Sequence, residues 1–398
     1  MESIRYLFLR DLKKTWPVFL AGLLLFVGSG LLEIIISYRA SVNGFDSQVT
    51  GIVMTAFYVG FLLGTLVAPQ FISFFRHAWA FRLYAGLVVL TAYLLAVSQN
   101  PVEWTLLQVV NGISMGGLYV VIESWLNLQS CRKSRGFLLS LYMMCWYAGL
   151  AMGQVFLSVD LQNLADYFYL VCLMVTLSII FITVPALKSP VFSGMRPFSL
   201  GQLREVKATS LSGSFFVGTS VGCIAGMAPV FAHSVGLSIQ QVAFFCVSFI
   251  VGAVFSQFPV ALLGARLDHL SLKLWLALSC VVICLGMFYL ESENIVVLLG
   301  SAFLIGGLSF PIYSLSITHG YNNLKSPDAA LSASAGLLLV NGLGAAIGPL
   351  LCGYLMGILD DVGFFLLLAV AHLLLAIHLV SQLVFSKQGE AAVSSAEN

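Results

Sequence analysis

Apolar stretches of about 20 residues, each long enough to cross a bilayer as a helix, recur along most of the chain. A closed β-barrel is the other structure that satisfies backbone groups in lipid, but its signature of alternating apolar and polar residues is not seen. Charged residues make up 9% of the sequence, against about 25% in soluble domains. The chain is therefore predicted to be an all-α polytopic membrane protein.

The apolar stretches predict twelve transmembrane helices. They cover residues 17–37, 51–72, 82–98, 104–127, 137–158, 167–186, 211–233, 242–263, 273–290, 295–318, 330–354 and 363–385. The longest connection is polar and basic and lies near the middle of the chain. We therefore expect an N-terminal six-helix bundle (1–187), a cytoplasmic linker (188–210), a C-terminal six-helix bundle (211–386) and a disordered cytoplasmic tail (387–398).

The basic residues predict the orientation of the spans. With the N-terminus placed in the cytoplasm, 17 of the 18 Lys and Arg residues fall on the inner side, and Arg39 alone lies outside. Lys and Arg concentrate in cytoplasmic loops of membrane proteins. Both termini are therefore expected in the cytoplasm.

Two apolar stretches of the second half repeat patterns of the first half. "AGLAMGQVF" (148–156) matches "LGAAIGPLL" (343–351), which aligns Gly149 with Gly344 and Gly153 with Gly348. "MGGL" (115–118) matches "IGGL" (305–308) at an offset near 190 residues. Two repeated halves around a cavity are typical of secondary transporters.

Several longer segments resemble the YcaD-like branch of the major facilitator superfamily. They include "YVGFLLGTLVAP" (58–69), "GGLYVVIESWLN" (116–127) and "GLGAAIGPLLCGYLMG" (342–357). The resemblance implies the major facilitator fold, in which two pseudo-symmetric six-helix bundles work by alternating access. The chain departs from the family pattern in four places: the loop "VAPQFISFFRHAWAFR" lacks an aspartate, Gln108 replaces an embedded arginine, Gln154 replaces a proline, and Ala265 replaces an aspartate.

Glu33 is the candidate for proton coupling. It lies about 24 Å along the first span from Trp16, at 1.5 Å per residue, in a stretch without a neighbouring charge. Desolvation favours the neutral form of a carboxyl group, and acids inside membranes mark ion or substrate paths. The alternative is a structural carboxylate that reaches the surface or pairs with Arg39.

Glu123 leads a group of candidates for a cytoplasmic gate. It lies about 28 Å beyond Trp104 by the same rise per residue, at the inner interface. There it could latch to an arginine, remain a simple interfacial charge, or carry protons. The other gate candidates are Arg76, Arg135, Arg266 and Asp268.

A few uncharged polar and aromatic residues are predicted near the middle of the membrane. They are the substrate-cavity candidates Gln108, Asn111, Trp146, Tyr147, Gln257, Tyr313 and Asn341. Small-molecule sites are mostly apolar with a few polar contacts. Because buried amides need hydrogen-bond partners, each candidate could instead only join helices.

The sequence predicts a secondary active transporter of a small amphiphilic solute, with proton-coupled export in a bacterial inner membrane. No nucleophile–base pair, phosphate loop or metal-ligand spacing is visible, so we expect no enzyme, cofactor, metal site or nucleic-acid partner. The expected partners are a small-molecule substrate, the proton and the lipid bilayer, with the protein as a monomer. The alternatives are proton-linked uptake or facilitated diffusion of a neutral solute, and a non-transporting receptor on the same fold.

Overall fold

The structure, a computed structural model, describes residues 2–130, 135–159, 161–183, 206–290, 294–321 and 327–396, and the regular structure in these ranges is α-helical. Side chains are described for residues 9–130, 138–159, 161–183, 206–290, 294–320 and 336–384. The helices are α1 (Glu2–Val42), α2 (Ser47–Val97), α3 (Pro101–Gln129), α4 (Arg135–Phe156), α5 (Leu164–Ile182), α6 (Ala208–Ser234), α7 (Ile239–Gly264), α8 (His269–Leu290), α9 (Ile295–Ser309), α10 (Pro311–Tyr321), α11 (Pro327–Leu359) and α12 (Val362–Ala396).

Helix α2 contains the second and third predicted spans. Its 51 residues would extend over roughly 75 Å at 1.5 Å per residue, more than twice the hydrocarbon thickness of about 30 Å. The helical geometry is interrupted at Arg76, where φ is 63° and ψ is 158°. The described residues contain eleven helices that are long and apolar enough to span a membrane. Because α2 provides two crossings, the total is the twelve predicted.

Helices α9 and α10 together form the tenth predicted span. The break falls at Phe310, directly before Pro311. Proline has no N–H to continue the hydrogen-bond ladder, which explains the interruption. The apolar segment nevertheless continues through Ile295–Gly320 as one candidate span.

Two predicted segments differ from the structure or lie outside it. The C-terminal tail was expected to be disordered from residue 387, but α12 continues to Ala396. Its last part is rich in Ala, Glu, Lys and Gln, which have high helix propensity. Most of the predicted linker (188–210) lies outside the described residues, and α6 begins within its last part, at Ala208.

The chain divides into two compact units. Unit 1 consists of residues 1–196 and 232–247, and unit 2 consists of residues 197–231 and 248–398. The predicted boundary between bundles assigned 232–247 to the second half, whereas this segment packs with the first. Within unit 1, the Nδ1 atom of His233 lies 2.8 Å from the Ser41 hydroxyl oxygen, and its ring contacts Tyr38 edge-on.

The predicted glycine repeat corresponds to one helix crossing in each unit. In unit 1, a Cβ atom on Gly153 of α4 would overlap the backbone carbonyl of Val27 in α1. In unit 2, a Cβ atom on Gly348 of α11 would overlap the carbonyl of Thr219 in α6. Small residues permit this close approach of helix backbones.

A second crossing is also repeated. Gly64 of α2 lies against the backbone of Ile113 in α3 within unit 1. Gly306 of α9 lies against the backbone of Phe249 in α7 within unit 2. The contacts α1–α4 and α2–α3 thus recur as α6–α11 and α7–α9, in agreement with the internal repeat predicted from sequence.

Candidate functional site

Glu33 lies on α1 in unit 1, half-buried, with a tyrosine as its side-chain partner. The Tyr58 hydroxyl of α2 lies 3.5 Å from the Oε1 atom of Glu33, at the upper limit for a hydrogen bond. Tyr58 itself is buried. Glu33 is also close enough to interact electrostatically with Tyr119 of α3 and Cys246 of α7. The ionisable neighbours of this carboxylate therefore come from α2, α3 and α7.

Arg39 does not pair with Glu33. Its Nη1 atom donates to the backbone carbonyl of Leu95 at 2.8 Å. Its guanidinium carbon lies 5.6 Å from the ring centroid of Trp104 and 5.2 Å from that of Phe168. The alternative in which Glu33 is a structural partner of Arg39 is therefore not realised in this conformation.

Aromatic rings cluster on the part of unit 1 next to Glu33. The indole N–H of Trp146 donates to the Tyr119 hydroxyl, and the two rings meet at 85° with centroids 6.0 Å apart. Tyr147 follows Trp146, with ring centroids separated by 4.8 Å. Phe61 contacts Tyr119 at 5.3 Å. Two predicted cavity residues, Trp146 and Tyr147, therefore share one ring cluster with Tyr119. Tyr119 was not among the residues predicted from the sequence.

The predicted amide pair of the fourth span is buried between helices. Asn111 donates from Nδ2 to the Oε1 atom of Gln108 at 3.1 Å. Gln108 in turn donates to the sulfur of Met54 at 3.8 Å, and the Ser37 hydroxyl lies 3.7 Å from the same sulfur. Gln108 and Asn111 have exposed fractions of 1% and 2%. Gln108 links α3 to Met54 of α2, and Asn111 supports it from the same helix.

The remaining cavity candidates lie in unit 2 and do not form one cluster. Gln257 of α7 accepts a hydrogen bond from Ser314 of α10 at 3.3 Å. The two residues line a cavity of about 290 Å³, together with His269 and Thr318. Asn341 donates to the backbone carbonyl of Ser214 at 3.0 Å, where α11 crosses α6.

Tyr313 of α10, the last cavity candidate, is half-buried. It packs against an apolar cluster that contains Val217 and Leu276. Its position is that of a core residue of unit 2 in this conformation.

Glu123 has no ion-pair partner in the described part of the chain. The described ion pair joins Arg10 and Asp11, and Glu123 and Arg76 do not form one. Glu123 is exposed and lies near Tyr142. The Arg135 side chain lies outside the described residues, so its pairing with Glu123 stays a prediction.

The residues after Glu123 hold the turn within α2. Ser124 and Trp125 are both buried. The Nε2 atom of His77 lies 3.1 Å from the Ser124 hydroxyl oxygen, and its ring lies 5.6 Å from that of Trp125. Because His77 follows Arg76, Ser124 and Trp125 contact α2 next to the place where it changes direction. This pairing could not be predicted from local sequence, since 47 residues separate His77 from Ser124.

Asp268 caps the start of α8. Its Oδ2 atom accepts the Ser271 backbone N–H at 2.9 Å and the Ser271 hydroxyl at 3.1 Å. Burial alone raises the pKa of Asp268, but the hydrogen bonds from Ser271 and from the Leu270 backbone N–H, together with nearby His319, outweigh it and lower that pKa below its ordinary value. Arg266 is exposed and forms no described ion pair with Asp268. The geometry thus gives Asp268 a capping role in this conformation.

Two buried ionisable residues were not selected from the sequence. Lys273 is fully buried and donates to the Thr209 backbone carbonyl at 3.1 Å. His372 of α12 is 1% exposed, and its Nε2 atom lies 2.9 Å from the Ser309 hydroxyl oxygen. Each side chain has its hydrogen-bond partner on another helix. From the sequence, only the apolar residues around Lys273 and His372 could have indicated that they are buried.

Comparisons with known proteins agree with this architecture. A model of the Major Facilitator Superfamily matches residues 18–337. An uncharacterised MFS-type transporter of Enterobacter sp. (strain 638) is 22% identical over 354 residues, which cover 88% of this chain and 91% of the relative. The uncharacterised MFS-type transporter YcaD of Escherichia coli (strain K12) is 22% identical over 361 residues, covering 89% and 93%.

Solved structures share the fold at low sequence identity. The nucleoside transporter NupG superposes with a TM-score of 0.77 at 17% identity, covering 92% of this chain and 98% of NupG. A D-xylose-proton symporter superposes with a TM-score of 0.70 at 14% identity, covering 94% and 97%. The resemblance to YcaD-like proteins and the predicted fold class are confirmed. The chain is a multi-pass membrane transporter rather than an enzyme, and it belongs to the Major Facilitator Superfamily.

Proposed function

We propose that this protein is a proton-coupled exporter of a small amphiphilic organic solute, working by alternating access. The observation that carries the proposal is Glu33, a half-buried carboxylate within a membrane span that has a tyrosine partner and no described cation. An acid inside the membrane is costly, and such residues mark substrate or ion paths. The proposal includes a monomer in a bacterial inner membrane, with both termini in the cytoplasm.

In this proposal Glu33 alternates between two protonation states. When protonated it is neutral and can donate a hydrogen bond, and when ionised it can only accept. Tyr58, which lies 3.5 Å away, can donate to either form and so keeps the carboxyl group in one position. Release of the proton on one side of the membrane and uptake on the other would couple the proton gradient to movement of the solute.

The solute-binding surface in this proposal starts from the ring cluster of Trp146, Tyr147 and Tyr119. The rings supply apolar area, and the Tyr119 hydroxyl supplies a polar contact. Gln108 and Asn111 lie deeper between helices, and the Asn111 carbonyl oxygen is buried without a described partner. A buried acceptor without a hydrogen bond costs free energy. A water molecule or a solute donor that reached the Asn111 oxygen would therefore bind there. In unit 2, the proposed solute contacts are Gln257, Tyr313 and Asn341.

The gate remains part of the proposal. Glu123, Arg76, Arg135, Arg266 and Asp268 are its candidates at the cytoplasmic ends of their helices. Glu123 is exposed and unpaired with Arg76 in this conformation. A latch that forms in one state and opens in another would leave Glu123 unpaired in part of the cycle.

The substitution Glu33→Gln tests proton coupling. The amide resembles the protonated acid in shape but cannot release a proton, so we expect pH-driven accumulation to be lost while solute exchange, measured at a saturating solute concentration, continues. A solute is first chosen from amphiphilic cations, neutral compounds and anions by the thermal stabilisation it gives the purified protein. Counterflow and accumulation of that solute are then measured in proteoliposomes from one preparation.

The matched control is Glu103→Gln, which changes an exposed glutamate in the first turn of α3. It should keep both activities. If pH-driven accumulation of the solute persists in Glu33→Gln, Glu33 is not the proton-coupling residue. Equal flux with and without a pH gradient in the wild type would favour facilitated diffusion, and no saturable flux of any solute would favour a receptor.

A further inference from the structure

The ring cluster of unit 1 forms a corner rather than a flat stack. Trp146 meets Tyr119 at 85°, and Phe61 meets Tyr119 at 76°. Tyr147 lies at 45° to Trp146. The rings thus form one compact cluster, and the negative face of an aromatic ring attracts a cation.

The same region has a carboxylate without a compensating positive charge. Glu33 is close enough to interact electrostatically with the Tyr119 hydroxyl. The ionisable neighbours that face it are Tyr58 of α2, Tyr119 of α3 and Cys246 of α7, and all three are neutral in their ordinary forms. Arg39, the nearest cation along α1, is directed to Leu95.

The side chains of this region are only partly covered by the protein. Glu33, Tyr119, Trp146 and Tyr147 are all half-buried, so part of each side chain is left uncovered by neighbouring helices. A carboxylate open to hydrocarbon would be strongly disfavoured. Water or a solute is therefore the expected neighbour of their open faces.

We propose that the solute recognised here is an organic cation, an amine or onium compound with an apolar body. The inference rests on the proposed function and names the substrate class of the same site. Glu33 supplies the opposite charge, and the faces of Tyr119, Trp146 and Tyr147 receive the cationic centre and its apolar groups. Quaternary ammonium groups are bound in other proteins by such aromatic cages.

Other solute classes fit this surface less well. An anion would meet the Glu33 carboxylate, with no described Lys or Arg side chain in the cluster to hold it. A sugar would require many directed hydrogen bonds. The polar groups of the cluster are few, and one of them is already used, because the Tyr119 hydroxyl accepts from Trp146.

The test uses tritiated tetraphenylphosphonium, a permanent organic cation, and the purified full-length protein in detergent. We expect saturable binding to the wild type that unlabelled tetraphenylphosphonium displaces. Triphenylphosphine oxide, a neutral relative with three of the same rings, should not displace it. Absence of saturable binding to the wild type would overturn the proposal, and so would equal displacement by the neutral compound.

Variants locate the site. Glu33→Gln should weaken tetraphenylphosphonium binding at least tenfold, and Glu33→Asp, which keeps the charge, should lose less. Trp146→Leu should weaken binding at least threefold, and Trp146→Phe, which keeps a ring, should lose less. Glu103→Gln should bind like the wild type. Unchanged affinity in both Glu33→Gln and Trp146→Leu would overturn the assignment.

The control for folding is size-exclusion chromatography, in which each variant should elute as the wild type does.

Failure of the inference can be distinguished from failure of the proposed function. If tetraphenylphosphonium does not bind while another solute shows pH-driven flux, the cation proposal falls and transport stands. If the cation binds through Glu33 but no solute moves in proteoliposomes, the cation site stands and the transport proposal falls.

Discussion

At the scale of single residues, Arg39 shows how a charge inside a membrane protein can be satisfied without an acid. Its guanidinium donates to one backbone carbonyl and lies over two aromatic rings. Charge-assisted hydrogen bonds are stronger than neutral ones, and cation–π contacts add to them when water is excluded. This arrangement leaves Glu33 available for a proton or a solute.

Arg76 is held in a backbone conformation that suits glycine. Its φ of 63° and ψ of 158° fall in a region that costs a non-glycine residue of the order of 1–3 kcal/mol. We expect Arg76→Gly to stabilise the protein by about 1 kcal/mol, after the entropic cost of glycine. The apparent thermal midpoint of the detergent-purified protein measures the change.

The control for Arg76 is Arg82→Gly. Arg82 lies within the regular part of α2 and its guanidinium carbon is 4.9 Å from the Trp79 ring centroid. Glycine there should destabilise by about 1 kcal/mol through helix propensity, and loss of the contact with Trp79 adds to this effect. A loss of stability in Arg76→Gly as large as in Arg82→Gly would contradict the strain argument.

At the scale of helices, the closest crossings depend on glycines that leave no room for a methyl group. Gly153 of α4 and Gly348 of α11 occupy equivalent places against α1 and α6. At each site the atoms that a Cβ would meet belong to backbone, which cannot rotate away as a flexible side chain can. Helix position is therefore determined by these contacts rather than by apolar surface alone.

Gly153→Ala should destabilise unit 1 by about 1–3 kcal/mol, as overpacking does in soluble cores. Gly348→Ala should have a similar effect on unit 2. Gly86→Ala is the matched control, because a Cβ there meets nothing within 4 Å and alanine favours the helix by about 0.5–1 kcal/mol. Thermal unfolding of the three variants compares them, and a tolerated alanine at both crossings would refute the equivalence.

At the scale of the whole molecule, twelve crossings require both termini on one side, and the distribution of Lys and Arg predicts that this side is the cytoplasm. A C-terminal green fluorescent protein fusion in bacteria should fluoresce, and a C-terminal alkaline phosphatase fusion should be inactive. Fusions after residue 99, which follows three predicted spans, should show the reverse. Phosphatase activity at the C-terminus would contradict the predicted orientation.

The sequence by itself determined the number and approximate position of the spans, because burial in hydrocarbon depends on the local run of apolar residues. It also predicted the internal repeat, because short glycine-containing segments recur at similar offsets, 195 residues for Gly153 and Gly348 and 190 residues for "MGGL" and "IGGL". Only the tertiary structure decided which partners the polar groups find. Tyr58 meets Glu33, Leu95 meets Arg39, and Ser124 meets His77 across 25, 56 and 47 residues of sequence. These pairings depend on how helices pack and rotate, which hydropathy does not specify.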